Sequence, residues 1–280
     1  MLRSIIPFFV VIFAFAFVVP ASAACDPGAA GSRYPLYAQK VVKIAASPTQ
    51  PPFAFVDAGN PNELVGLEVD MIKEVMRCAG LRYEFIEGAW AGLMPAVFAG
   101  SADVMIGDVN YREDRSQRAD FILYLLAAQS VVVQKGNPRG VTKDADLCGT
   151  SGTATMGSSS AHKIEQLNQT CVANGKPLIV FQPAADADAA YRLVANGRTD
   201  FAMDEAASVS ARLRTKPDYQ LAYSVSTGLK GGFIVAKGNK EMLDIVYDGL
   251  KAEEKNGTLL RLLTKYGLPE NLLIPVEVQR

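Results

Sequence analysis

Asp108 and Asp204 are the first residues placed to do chemistry. Each stands just past the carboxyl end of a predicted strand, the edge at which open α/β sheets bind ligands. They emerge from a weak internal match between Ala99-Gly100-Ser101-Ala102-Asp103-Val104-Met105-Ile106 and Asn196-Gly197-Arg198-Thr199-Asp200-Phe201-Ala202-Met203. Both segments read as a helix end, a glycine turn and a strand opened by aspartate. Ser158 and Ser159 precede His162 at helical offsets, which could pair a nucleophile with a base but suits a capped turn with an exposed histidine better. Glu205, beside Asp204, could serve as a general acid. A zinc site takes three or four His or Cys ligands in tight spacing. With one histidine and four scattered cysteines, the chain is expected to hold no metal and no cofactor.

Charge narrows the partners. The 280 residues carry 28 basic and 29 acidic side chains, a net charge of -1, whereas a nucleic-acid binder needs a basic face to neutralise phosphates. No nucleic-acid partner is expected. At the amino terminus, Arg3 precedes an apolar run from Ile5 to Val19, then Pro20-Ala21-Ser22-Ala23. That order reads as a signal peptide over residues 1–23, since the run is shorter than the ~20 residues of a membrane span and ends on a small-residue cleavage pattern. A lipid anchor at Cys25 is a lesser alternative, because lipoprotein boxes prefer Leu or Val where Ser22 stands. The mature chain is thus expected in the periplasm.

Export makes disulfides reasonable. Cys148 and Cys171 flank one strand-turn-helix segment and are the natural pair; Cys25 and Cys78 remain as a second. Four cysteines allow three connectivities, so the pairing stays open.

Alternating elements must position these residues. Val41 to Ala46 reads as a strand ended by Pro48, Pro51 and Pro52. Leu67 to Ala79 places Ile72, Val75, Met76 and Ala79 on one helical face, with Gly80 as a stop. Arg82–Ile86, Leu93–Ala99 and Asp103–Ile106 follow as strand, helix and strand, a βαβαβ grammar that implies a parallel sheet covered by helices. A second stretch repeats it: strands at Val131–Gln134, Ile179–Phe181 and Phe201–Met203, helices at Ala185–Asn196 and Ala206–Arg214. Gly231–Ala236, Lys240–Glu254 and Leu259–Tyr266 close the chain. The expected organisation is an N-terminal extension at 24–39, a discontinuous lobe 1 from 40–127 with 229–280, and lobe 2 at 128–228. The crossings near Leu126–Ser130 and Ser224–Gly228 would form a hinge.

In this order the residues resemble the extracytoplasmic solute-binding proteins of family 3, the polar amino-acid receptors of ABC importers. The likeness runs through Pro51-Pro52-Phe53-Ala54-Phe55, Gly66-Leu67-Glu68-Val69-Asp70-Met71 and Trp90-Ala91-Gly92-Leu93-Met94-Pro95-Ala96. It continues through Asp114-Arg115 with Ala119-Asp120-Phe121, Lys135-Gly136-Asn137-Pro138, Asp146-Leu147-Cys148-Gly149, Gly197 to Asp204, and Asn256-Gly257-Thr258 with Tyr266-Gly267-Leu268. The resemblance implies a type II periplasmic-binding-protein fold, two α/β lobes joined by a two-segment hinge. It implies a monomer that closes on one small amino-acid-like ligand and hands it to a membrane permease and ATPase.

The resemblance also assigns roles. Arg115 matches the arginine that grips a ligand's α-carboxylate, a task suited to a planar guanidinium fork, and Asp204 the acid that accepts the α-ammonium group. Gly157-Ser158-Ser159 matches a turn whose backbone N–H groups and hydroxyl help hold the carboxylate at a helix N-terminus, although Gly152-Thr153 could be that turn instead. Trp90 matches an aromatic pocket wall; Phe53 could be pocket or core. The chain departs from the pattern at Gln50, where many relatives have an aromatic, and at Ser47, where receptors of cationic ligands often have an acid. Asp108, with Val109 and Asn110 after it, lies where a small residue is common. Its carboxylate could contact ligand or pair with Arg112. The same fold includes periplasmic cyclohexadienyl dehydratases, so a prephenate or arogenate lyase is the enzymatic alternative to a non-enzymatic receptor.

Overall fold

The computed structural model describes Gly28 and residues 30–280. The signal peptide and Cys25 lie outside those residues. A short helix, α1 (Ala30–Arg33), leads to β1 (Val42–Ala46), and the proline-rich loop carries a small antiparallel sheet of β2 (Thr49–Gln50), β3 (Ala54–Val56) and β4 (Leu64–Val65). Helix α2 (Leu67–Ala79) has the bounds its pattern predicts: Gly80 takes the left-handed conformation that lets its N–H reach back to the carbonyls of Met76 and Arg77. β5 (Tyr83–Glu87), α3 (Trp90–Phe98), β6 (Val104–Met105) and α4 (Glu113–Ser116) complete the first βαβαβ unit.

The next strand, β7 (Ala119–Gln134), runs for 16 residues. After it come β8 (Ser151–Thr155), α5 (Ser159–Ala173), β9 (Val180–Ala184), α6 (Ala187–Ala195), β10 (Phe201–Glu205) and α7 (Ala206–Leu213). A second long strand, β11 (Tyr219–Ala236), precedes α8 (Lys240–Lys255), α9 (Thr258–Lys265) and β12 (Leu273–Gln279). Strands β7 and β11 pair antiparallel from Ala119–Ala236 to Gln134–Tyr219, with irregular register between Ser226 and Lys230. The Leu126–Ser130 and Ser224–Gly228 segments are therefore the middle of one two-stranded ribbon. That ribbon makes a single sheet, ordered β5-β1-β6-β11-β7-β10-β8-β9, with β12 also on β7.

Side chains alternate across this sheet, as the pleat requires. In the first half Ile44, Ile122, Tyr124, Phe233 and Val235 face a core shared with α2, α8 and α9. Their neighbours Ala45, Phe121, Leu123 and Ile234 face α3 with Trp90, Leu93 and Val97. In the second half Val131, Val133, Phe201 and Met203 pack on α5, and Val132 packs with Tyr191 and Val209 of α6 and α7. Both faces of each half are covered, so the polar groups of the strand ends are left to the edge between the halves.

The N-terminal extension is docked onto the first half. Tyr34 and Tyr37 are buried, and Glu241 of α8 accepts hydrogen bonds from the backbone N–H groups of Leu36 and Tyr37. Cys148 and Cys171 form a disulfide with a Cα–Cα distance of 5.7 Å, tying the loop before β8 to the end of α5. Cys78 is also disulfide-bonded, while its expected partner, Cys25, lies outside the described residues.

Glu253 of α8 is buried with both carboxyl oxygens unpartnered. Burial pushes its pKa from 4.5 up to about 9, Glu74 adding to the rise and Arg261 and Arg77 opposing it. A raised folded-state value means the stability tied to the protonated acid is complete below about pH 4.5 and lost as pH rises toward 9. Glu253→Gln needs no proton and should raise stability at pH 7 by about 3 kcal/mol. Urea titrations at pH 7 and pH 4 check this: the variant should gain at the first and match the wild type at the second.

Candidate functional site

Strand β6 ends at Met105, and the chain turns sharply at Gly107 and Asp108, which both have positive φ, 122° and 51°. An L-residue other than glycine is uncommon in that region, so Asp108 is held there by something else. That anchor is Glu68 in the first turn of α2. One of its carboxyl oxygens accepts from the N–H groups of Gly107 and Asp108, and the other accepts from the Tyr124 hydroxyl at 2.7 Å. Burial pushes the Glu68 pKa up to about 7 against these hydrogen bonds.

The turn then runs beside β11, with the N–H of Val109 donating to the Gly232 carbonyl and that of Tyr111 to the Lys230 carbonyl. This brings the Asp108 carboxylate against Gly231, where a Cβ would lie 1.6 Å from Oδ1. Both carboxyl oxygens of Asp108 are buried and unpartnered, and burial, with the Glu68 charge adding, pushes the group well above the usual carboxylate range. Arg112 is not its partner: that guanidinium pairs with Asp114 at 2.9 and 2.6 Å and donates to the Ser158 carbonyl. Of the two partners open to Asp108 in the sequence, Arg112 is thereby removed.

Helix α4 is one turn long and turns Arg115 back under this loop. Its guanidinium is 5% exposed and donates to two main-chain carbonyls, of Asn110 and Gly157, each at 2.7 Å. Among the described residues it makes no ion pair. Burial lowers its pKa to about 10, with repulsion from Arg112 adding to the effect and Asp114 opposing it. The Gly157 bond crosses from the first half of the sheet to the second.

Gly157, with a φ of 76°, makes the turn into α5. The helix starts at Ser159, because Ser158 caps it by accepting from the N–H of Ala161 at 3.1 Å. The Ser159 hydroxyl is buried without a partner. Gly152, the other candidate turn, is inside β8, packed so tightly on Phe201 that a Cβ would meet the ring at 2.2 Å. His162 turns away from both serines toward Glu165 and Gln166.

Across the ribbon, Asp204 and Glu205 end β10 opposite Ser130 and Gln129 of β7. Asp204 accepts from the N–H of Glu205 at 2.8 Å through one oxygen, while the other is buried and unpartnered; burial raises its pKa and Arg212 opposes the rise. Glu205 caps α7 by accepting from the N–H groups of Ala207 and Ser208, and it is held well above its ordinary value by burial and by the Asp108 charge. Arg212, stacked 4.6 Å over Tyr191, donates to Asp188 and to the Thr49 carbonyl. That last bond also crosses between the halves, as those of Arg112 to Ser158 and Arg115 to Gly157 do.

Trp90 and the Gln50 amide meet at Gly107: a Cβ there would lie 3.0 Å from the indole and 2.7 Å from Gln50 Oε1. Ser47, fully buried, shares a hydrogen bond of 3.1 Å with Thr49. The structure thus gathers Gln50, Trp90, Asp108, Asn110, Arg115, Gly157 and Ser158 around the sheet edge, with Asp204 opposite. It does not bring in Phe53, which is sealed in the core with α2, or the Val109 side chain, which packs with Trp90 and Phe121. Sequence reasoning missed the anchoring role of Glu68, the cap formed by Glu205, and Gly231 and Arg212. Adjacency to Asp204 was the only signal for Glu205.

A zwitterion fits this arrangement chemically. Arg115 offers a buried cation whose hydrogen bonds go to neutral carbonyls, and Asp204 a buried acid beside Tyr191 and the Arg212 charge.

The family described as bacterial extracellular solute-binding proteins, family 3, matches residues 42–269. The L-cystine-binding protein TcyA of Bacillus subtilis (strain 168) is 24% identical over 228 residues, 81% of this chain and 81% of that protein. An ancestral arginine-binding protein bound to arginine superposes with a TM-score of 0.74 at 25% identity, covering 81% of this chain and 98% of that one. The ancestral amino acid-binding protein AncCDT-1, a precursor of cyclohexadienyl dehydratase, shares the fold with a TM-score of 0.69 at 23% identity, over 81% and 95%.

Proposed function

Since this chain belongs to the bacterial extracellular solute-binding proteins of family 3, we propose that it is the receptor subunit of an ABC importer and binds a polar amino acid or a close derivative. The ligand's α-carboxylate sits on Arg115 and the Gly157-Ser158-Ser159 turn, and its α-ammonium group on Asp204. Trp90 and Gln50 form the wall beside Gly107.

One observation carries this reading. Arg115 is a buried guanidinium that donates, among the described residues, to neutral carbonyls alone, and a buried charge without a counter-charge is costly. A carboxylate entering beside it gains a charge-assisted, two-pronged hydrogen bond. Arg115 and Asp204 come from opposite halves of the sheet, so one zwitterion binds both only when the halves are together. Closure is then favoured by ligand through its differential contacts with the closed state.

In this reading lobe 1 is 40–127 with 229–280, lobe 2 is 128–228, and the β7–β11 ribbon is the hinge. Residues 1–23 direct export and are removed, which places the receptor in the periplasm as a monomer that docks on the permease. No helix among the described residues is long and apolar enough to cross a membrane. The relatives' names specify L-cystine and arginine, which share the two α-groups that Arg115 and Asp204 suit.

Thermal unfolding of the exported chain against amino acids, opines and small carboxylates tests the proposal. A ligand at about 100 times its Kd adds roughly 2.7 kcal/mol, so the melting temperature should rise by about 5 °C or more with at least one α-amino acid. No shift with any amino acid, or shifts with amine-free carboxylates alone, would overturn it. The lyase alternative rests on the fold shared with AncCDT-1; measurable turnover of prephenate or arogenate would replace the receptor reading.

A further inference from the structure

Once Arg115 and Asp204 have taken the two α-groups, one charged group at the sheet edge still has no partner. Asp108 is 5% exposed, and neither carboxyl oxygen has a hydrogen bond. It is not free to turn toward water, because its backbone is pinned by Glu68 and its carboxylate is seated on Gly231.

The Asn110 amide beside it is an N–H donor, donating to the Asp108 carbonyl and lowering the Asp108 pKa against the effect of burial; the other groups around it are acceptors. Gln50 Oε1 lies against the same turn and Gln129 Oε1 sits at the register position opposite Glu205; both are buried and unpartnered. Glu205 is close enough for the Asp108 charge to act on it. The arginines nearby are directed elsewhere: Arg112 on Asp114, Arg115 on the Asn110 and Gly157 carbonyls, and Arg212 on Asp188 and Thr49, its charge acting on Asp204 and its Nε–H left without a partner. Four unpartnered acceptor oxygens, two of them on a carboxylate, call for a partner rich in N–H donors and positively charged.

We infer that the ligand carries a second positive group on its side chain and that Asp108 receives it, with Gln50 and Gln129 accepting its remaining N–H groups. The inference rests on the amino-acid reading of the same site and narrows it to the basic amino acids. Asp108 thereby takes the specificity role at a position where the aligned motif ordinarily has a small residue, while Ser47, the other position for an acid, is spent on Thr49.

Calorimetric titration with L-arginine, its neutral isostere L-citrulline, L-lysine and L-glutamine tests the charge itself. The wild type should bind arginine or lysine at least about 30-fold more tightly than its neutral counterpart, the range for a buried charge pair. Asp108→Asn, which keeps shape and removes charge, should narrow that ratio to a few-fold, and Asp108→Ser, which carries no amide, should do the same. Equal binding of charged and neutral ligands by the wild type, or a ratio retained by both variants, overturns the inference and leaves the amino-acid reading standing. Failure of all four ligands, with no other α-amino acid stabilising the protein, overturns that reading and the inference with it.

Discussion

Arg115→Ala should weaken binding of every α-amino acid by about 3 to 5 kcal/mol, roughly 100- to 5,000-fold, while the empty protein stays folded. The guanidinium is the one cation in the site whose acceptors are only carbonyls, so its loss removes the counter-charge for any α-carboxylate and leaves that anion desolvated. Folding should tolerate the change, because a buried cation without an anion contributes little to the native state and the freed Asn110 and Gly157 carbonyls border a site that water can enter. Arg115→Lys should recover only part of the loss, since an ammonium cannot reach two acceptors in the plane of a fork. Calorimetry with circular dichroism on both variants checks the pair of expectations. Normal affinity in Arg115→Ala would show that the carboxylate sits elsewhere.

Gly231→Ala should be as damaging, from a position that bears no functional group. Its new Cβ would fall 1.6 Å from Asp108 Oδ1 and 3.2 Å from Asn110 Nδ2. Neither side can simply yield, because Gly231 lies in the ribbon opposite Leu125 and the Gly107 and Asp108 N–H groups both donate to Glu68. Overpacking of this kind costs about 1–3 kcal/mol, and it displaces the Asp108 carboxyl. Pairing Gly231→Ala with Asp108→Ala removes the clash, so the double variant should regain about the lost stability without regaining ligand affinity. A double-mutant cycle measures that coupling; additive losses would mean the two residues do not press on each other.

How much of this was legible beforehand depended on whether a residue's role follows from its neighbours in sequence. Helix α2 reads cleanly because apolar spacing and the Gly80 stop are local, and its observed bounds match. Strands β7 and β11 were seen only at their ends, Val131–Gln134 and Gly231–Ala236. The middle of β11, with Ser224, Ser226, Thr227, Gly228 and Lys230, alternates between half-buried and exposed, so it has no hydrophobic run to betray a strand. Its order comes from pairing with β7, more than ninety residues away, and nothing local encodes that.

The site divides in the same way. Asp108 and Asp204 stand out because strand ends are predictable and the two segments echo each other. Arg115 came only through resemblance, since one arginine among many has no signature of burial. Phe53 shows the reverse: an aromatic beside prolines reads equally as pocket or core, and the packing of α2 over it places it in the core. Glu68 and Glu205 went unseen in their roles because a carboxylate in sequence looks solvated until tertiary structure brings backbone N–H groups to it.

The crossing bonds, from Arg115 to Gly157, from Arg112 to Ser158 and from Arg212 to Thr49, bear on timing. All join the halves through protein groups alone, so the closed arrangement has contacts of its own beyond those a ligand would add. A binding cleft that latches onto itself admits ligand only during its openings, and capture then cannot outpace the unlatching step however abundant the solute. Arg212 touches none of the groups proposed to hold the carboxylate, but its charge acts on Asp204, so easing that latch would also alter the acid proposed for the ammonium group.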